Sequence, residues 1–275
     1  GPLLRIAAWN AERLKHRAPS AALLAASGAD LLLLTETDCG MARSGNRHTA
    51  ADLAADCGMG YAYGVEFVEL GLGDDRERRW HRGENNRVGF HGNALLAHTS
   101  LQAPVMIRLE AHGHWFTPET PAKRIGTRCA IAAAVMTEAG PLYAVSVHLE
   151  NRGDATYRET QVRGLIDAID QLAGDIPVII GGDLNTGLAD NGDFEKETLF
   201  AHASDRGFER HGGPIGQMTT RPSRVSRNPR GTWKLDWFLT RGVEVTSSRI
   251  VTSVAPDGEV LSDHDMVVLE VAGLK

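Results

Sequence analysis

The chain has 275 residues, 42% of them apolar, which is enough for a sizeable buried core, and its formal charge is −6. That acidic balance excludes a protein living on non-specific duplex binding, which would be basic, so any nucleic-acid contact must come from local patches. The three cysteines, Cys39, Cys57 and Cys129, lack metal-type spacing and read as free thiols of a reducing, cytoplasmic compartment, and no apolar run reaches the ~18 residues of a membrane span.

Gly1-Pro2-Leu3 leads straight into a strand-like stretch, so no secretory signal is expected. The patterning then predicts a strand over 4–9 ending at Asn10, a short helix over 20–27 stopped by Gly28, and a buried strand over 31–35 followed by Glu36. Strands follow at 93–97, 129–136 and 143–149, the last ending around His148. Val162, Leu165, Ile166, Ile169 and Leu172 at helical spacing predict a helix over 155–173, closed by Gly174. A strand over 177–180 runs into Gly181-Gly182-Asp183, a helix spans 195–204, and strands at 234–239 and 266–271 finish the chain. Polar segments at 71–92 and 211–233, and a third at 110–126 with Trp115, Phe116, Pro118 and Pro121, interrupt this order; loops this long are functional sites or plain insertions.

Position carries the information. Asn10, Glu36, His148 and Asp183 each fall just past a predicted strand, where α/β sheets gather ligand sites. Asp236, Asp263 and His264 join the same edge if their strands run antiparallel to the others. Singly, each has an ordinary reading: Asn10 and Asp183 as turn residues, Glu36 as a helix-start carboxylate, His148 as a satisfied sheet histidine, Asp263 as a loop cap. Together on one edge they point to a site.

These residues resemble the endonuclease/exonuclease/phosphatase superfamily of DNase I-like nucleases, sphingomyelinases, inositol-polyphosphate 5-phosphatases and deadenylases. The resemblance rests on Ala8-Trp9-Asn10, Leu33-Leu34-Thr35-Glu36, Gly92-Asn93-Ala94-Leu95-Leu96, Val147-His148-Leu149, Gly182-Asp183-Leu184-Asn185, Leu235-Asp236-Trp237-Phe238 and Ser262-Asp263-His264, in the family's order. Thr35 departs from the glutamine often found there. The family's abasic-site enzymes place a tyrosine near the position of His148, so the chain resembles the DNase I, sphingomyelinase and deadenylase branches more. The resemblance implies an α+β fold, a four-layer α/β/β/α sandwich of two packed mixed β-sheets flanked by helices, in one domain spanning 1–275. It also implies a hydrolase that cuts a phosphoester with activated water and Mg²⁺, with Mn²⁺ or Ca²⁺ as substitutes.

On that basis Glu36 is assigned as the main metal ligand with Asn10 and Asp263 beside it, a hard oxygen-rich set suited to Mg²⁺. A tetrahedral zinc site drawing on His148, Asp183 and His264 is the rival arrangement. Asp183 is expected to act as base or orienter for water, Asn185 to hold water or phosphate, and His264, fixed by Asp236, to donate to a phosphoryl oxygen. His148 is expected to hold the phosphate or protonate the leaving oxygen. Residues 221–234 hold Arg221, Arg224, Arg227, Arg230 and Lys234 with no acid, and 76–87 hold five arginines against two glutamates with Trp80 among them. Trp80, Arg224 and Arg227 are therefore expected to bind substrate, DNA or RNA, by backbone charge and base stacking. The acidic net charge favours the alternative, a lipid, inositol or other small phosphoester. A monomer without an integral membrane segment is expected.

Overall fold

In the computed structural model, residues 1–110, 123–226 and 233–275 are described. They run β1 (Leu4–Arg13), α1 (Arg17–Ser27), β2 (Leu31–Cys39), α2 (Thr49–Cys57), β3 (Gly60–Glu69), α3 (Asp75–Trp80), β4 (Phe90–Ala97), β5 (Leu101–Arg108), β6 (Arg124–Gly126), β7 (Cys129–Thr137) and β8 (Gly140–His148). Then come α4 (Ala155–Ala173), β9 (Val178–Asp183), α5 (Leu199–Asp205), β10 (Glu209–His211), β11 (Asp236–Arg241), β12 (Val243–Val251) and β13 (Met266–Leu274). One sheet has the order β12-β13-β1-β2-β4-β3-β6 and the other β10-β11-β9-β8-β7-β5.

The four layers follow from the strands' two-residue period. Leu31 and Leu33 of β2 point between the sheets with Ile6, Ile131, Ile179 and Phe238. Leu32 and Leu34 point the other way, under Leu24 of α1 and Leu53 of α2. The continuous leucine run is thus a strand buried on both faces. On the far side α4 lays Val162, Leu165, Ile166 and Ile169 over Val145, Val147 and Ile180. Asp154 caps that helix by accepting from the Tyr157 N–H at 2.9 Å. A Cβ at Gly181 would lie 2.7 Å from both Leu33 and Phe238, so the glycine lets the sheets close up directly beneath Asp183.

The site's edge is the carboxyl end of β1, β2, β8 and β9. β1 pairs parallel with β2, and β8 parallel with β9. β11 is antiparallel to β9, and β13 antiparallel to β1, as Asp236, Asp263 and His264 require.

Several elements differ from expectation. Glu36 does not follow β2; it lies inside the strand, at a bulge in the pairing with β4, with φ 54°. A bulge re-aims one side chain out of the alternation, which a period-two reading cannot foresee. β1 likewise runs past Asn10 to Arg13. The helix over 195–204 is replaced by a 3₁₀ turn at Phe194–Lys196 and the shorter α5. Glu197 turns inward there, accepting from Arg158 at 2.6 Å and from the Gly187 N–H at 2.8 Å. Segment 71–92 contains α3, nucleated by an Asp74–Glu77 capping box. β12 escapes the pattern because it is a half-exposed edge strand with weak alternation. Trp115, Phe116, Pro118, Pro121 and Arg230 lie outside the described residues.

Candidate active site

His148, Asp183 and Asp236 end or begin three adjacent strands and stand opposite one another in register: His148 pairs with Asp183 across β8/β9, and Asp183 with Asp236 across β9/β11. Asn10 and Glu36 come from the other sheet. The Asn10 amide bridges the two by donating to Glu36 Oε2 at 2.5 Å and to Asp183 Oδ2 at 3.0 Å. Asp263 and His264 arrive from the loop before β13. That loop is pinned by Ser262, which donates to the Asn10 carbonyl and accepts from the His264 N–H.

Asp183 is the centre. Its Oδ2 lies 3.3 Å from His148 Nε2 and 3.6 Å from His264 Nε2, while Oδ1 accepts from the Asn185 N–H at 3.0 Å. Burial raises its pKa, but the charges of His264 and His148 outweigh that and lower it to about 2. Such a carboxylate is a poor base and a well-held orienter. Asn185, at φ 51°, spends one amide N–H on the Leu149 carbonyl at 2.8 Å and keeps its other N–H and its Oδ1 for a ligand.

His264 Nδ1–H donates to Asp236 Oδ2 at 2.7 Å. Burial works against the imidazolium, yet Asp236, Asp183 and Asp263 together hold its pKa well above the ordinary value. Burial raises Asp236 to about 6, so across neutral pH the pair is carboxylate and imidazolium. His148 is likewise pushed up to about 9: burial and Arg128 oppose its charge, and hydrogen bonding to Asp183 and Glu66 prevails. The two imidazolium groups make this edge a receptor for anionic oxygens.

Of the expected metal ligands, Glu36 falls in a group that could hold an ion, together with His148 and Asp183 rather than with Asp263. Glu36, His148 and Asp183 offer ligand atoms within 4.8 Å of one another, as do Asp183, Asp236 and His264. Asp263 and Glu12 press their carboxyls together, and burial followed by the Asp263 charge raises Glu12 to about 9. Among the described residues, Asp263 Oδ1 and Asp236 Oδ1 are buried without a hydrogen-bond partner. Buried carboxylate oxygens left so are costly, and oxygen donors of this kind fit a hard divalent cation.

Of the three expected substrate binders, two pack on each other. The Arg224 guanidinium lies 4.2 Å over the Trp80 ring, and Arg76 donates to the Arg224 and Val225 carbonyls at 2.7 and 2.9 Å. This pair stands outside the lining of the central cavity, and Arg227 lies outside the described residues.

That cavity, about 370 Å³, is lined by Glu36, His148, Asp183, Asn185, Asp263 and His264, and also by groups the motifs did not mark: His91, Arg124, Arg128 and Trp233. His91 bonds Asp38 at 2.7 Å and reaches Glu36 at 3.8 Å. Arg13, at the left-handed turn after Asn10, donates to Glu36 Oε1 at 2.6 Å and to Glu77 at 2.9 Å. Arg128 lies 3.2 Å from His148 Nδ1 and 3.3 Å from Glu66. Only His91, one residue before the Gly92-Asn93 motif, carried any local signal.

Comparison with known proteins bears on the fold and the family. No curated protein matches the sequence significantly. Among solved structures, the human Nocturnin catalytic domain with bound sulfate is similar at TM-score 0.66 and 19% identity, covering 98% of this chain and 93% of that one. A mannosyl-6-phosphatase of Bacteroides thetaiotaomicron is similar at TM-score 0.64 and 16% identity, covering 98% and 99%. An endonuclease/exonuclease/phosphatase of Beutenbergia cavernae is similar at TM-score 0.65 and 19% identity, covering 98% and 71%. At these identities the likeness speaks for the fold. The profile of the endonuclease/exonuclease/phosphatase family matches residues 7–264, a span that takes in every convergent group from Asn10 to His264. The chain therefore belongs to the endonuclease/exonuclease/phosphatase family of phosphoester hydrolases.

Proposed function

We propose that the protein is a divalent-metal-dependent phosphodiesterase, acting as one domain over residues 1–275 on DNA or RNA. The observation that carries this is the Asp183 carboxylate held between His148, His264 and Asn10 on the edge that also presents Glu36. Every part of this array suits an anionic ester attacked by water.

Glu36, Asn10 and Asp263 are the residues that would hold Mg²⁺, with Mn²⁺ or Ca²⁺ as substitutes. Bound there, the cation would offset negative charge on the phosphoryl group. The chain's own groups supply the rest. His264, kept charged by Asp236, donates from Nε2 to a non-bridging oxygen. Asp183 orients the attacking water and takes its proton late, once the new P–O bond has made that proton acidic. Asn185 offers its remaining N–H to water or phosphate. His148, charged at neutral pH, donates to the phosphate and passes a proton to the leaving oxygen.

A nucleic-acid substrate is supported by the Arg224–Trp80 stack, by exposed Arg78, Arg79 and Arg82 beside it, and by Trp233 in the cavity lining. A second reading, a small phosphoester, is favoured by the cavity's volume of about 370 Å³, near the low end of the roughly 300–1,000 Å³ of small-molecule sites. The mannosyl-6-phosphatase likeness is consistent with it. Turnover of bis-p-nitrophenyl phosphate, oligonucleotides, inositol phosphates and a phospholipid, with and without Mg²⁺, is the test. Cleavage of inositol or lipid phosphates without oligonucleotides selects the second reading. No turnover with Mg²⁺, Mn²⁺ or Ca²⁺ defeats both.

A further inference from the structure

The cavity contains a cation that the reaction as derived does not use. Three arginines line it among the described residues, and they differ in how they are neutralised. Arg221 is paired bidentately with Asp265 at 2.7 and 2.9 Å. Arg128 is buried and surrounded by Glu66 at 3.3 Å, Glu150 at 3.5 Å and the Asn151 side chain at 3.1 Å. Among the described residues Arg124 has one carboxylate within 4 Å, Glu69 Oε1 at 3.9 Å, and Glu69 is shared with Arg43 at 3.8 Å. Its guanidinium carbon lies 3.8 Å over the centre of the Phe67 ring, and its side chain remains 32% exposed. The Phe67 ring also carries Arg128 at 5.4 Å, which sets two like charges side by side.

We propose that Arg124 is a specificity-determining residue that grips a second phosphate of the substrate, next to the one being cut; the proposal rests on the phosphodiesterase reading above. An arginine held over an aromatic ring loses little further freedom when its N–H fork takes a phosphate. Its place on β6, the edge strand paired with β3 at Glu69, fixes it against a rigid sheet rather than a loop. Arg128 reaches the same cavity from the turn into β7 and touches His148, and Arg124 shares the Phe67 ring with it. Burial, and then the Arg128 charge, lower Arg124 to about 10, as expected of a cation awaiting an anion.

The test compares thymidine 5′-p-nitrophenyl phosphate with the same compound carrying a 3′-phosphate. Wild type should favour the second in kcat/KM by about 10- to 100-fold, the worth of one charge-assisted contact. Arg124→Ala should bring the ratio near one, Arg124→Lys should leave it between, and Arg163→Ala, at an exposed arginine on the outer face of α4, should keep it. A wild-type ratio near one, or a ratio unchanged in a folded Arg124→Ala protein, overturns the proposal. Calorimetry with thymidine 3′,5′-bisphosphate against thymidine 5′-monophosphate separates the two readings. If neither probe is cut but the bisphosphate binds more tightly and Arg124→Ala removes that margin, the subsite stands and the nucleic-acid phosphodiesterase reading falls. If the bisphosphate binds no more tightly than the monophosphate, the subsite falls.

Discussion

Replacing Asp236 with Asn tests the charge logic of the site most directly. Asp236 is fully buried, and its Oδ2 accepts from His264 Nδ1 at 2.7 Å. The amide keeps the volume and removes the anion. A hydrogen bond to a charged group is worth about 1.5–3 kcal/mol, and each pKa unit is about 1.4 kcal/mol. His264 should therefore lose about one to two units of its elevated pKa. The sign follows from which form works. The protonated imidazole is the donor to phosphate, so activity is lost as pH rises through the pKa, and a lowered pKa brings that loss to lower pH. The alkaline limb of kcat/KM on bis-p-nitrophenyl phosphate should move acidward by about one to two units. On the descending limb the rate should fall roughly 10- to 100-fold below wild type at the same pH, with recovery toward lower pH. Thermal melting should change little, because a buried carboxylate with one oxygen unpartnered is exchanged for a neutral group. An Asp236→Asn protein with the wild-type limb and rate would refute the assignment of His264 as a charged donor.

Asp183→Ala and Asn185→Ala should each cost on the order of 10²-fold or more in kcat while the far-ultraviolet circular dichroism stays unchanged; near-full turnover in Asp183→Ala would exclude its role. Glu36→Ala should raise the Mg²⁺ concentration for half-maximal rate, and chelation should abolish wild-type activity until Mg²⁺ is restored; chelator-resistant turnover would exclude a required metal. Arg158→Met breaks the fully buried pair with Glu197 that anchors the loop after Asp183. Removing one partner of such a pair costs about 3–5 kcal/mol, a fall in Tm of roughly 6–20 °C in a chain of this size; an unshifted melt would argue against that anchor. Arg224→Ala and Arg227→Ala should weaken oligonucleotide cleavage and flatten its salt dependence, leaving bis-p-nitrophenyl phosphate hydrolysis alone. Equal loss on both substrates would argue against a nucleic-acid contact.

Most of the sheet strands and α4 were legible because each signal sits in contiguous residues. The helix spacing from Val162 to Ile169 and the apolar run Leu31–Leu34 are local properties, and so are His148, Asp183 and Asp236, which end or begin strands. Their order along the chain is enough to place them on one sheet edge, and the family follows from that order. The bulge that turns Glu36 into the site is different. So are Arg13 against Glu36, Arg128 and Glu66 behind His148, and the half-neutralised Arg124. These contacts join residues far apart in sequence, and no periodicity marks which carboxylate a distant guanidinium will find. A charge is buried only where a partner from another element meets it, so this part of the site came into being only when the two sheets closed.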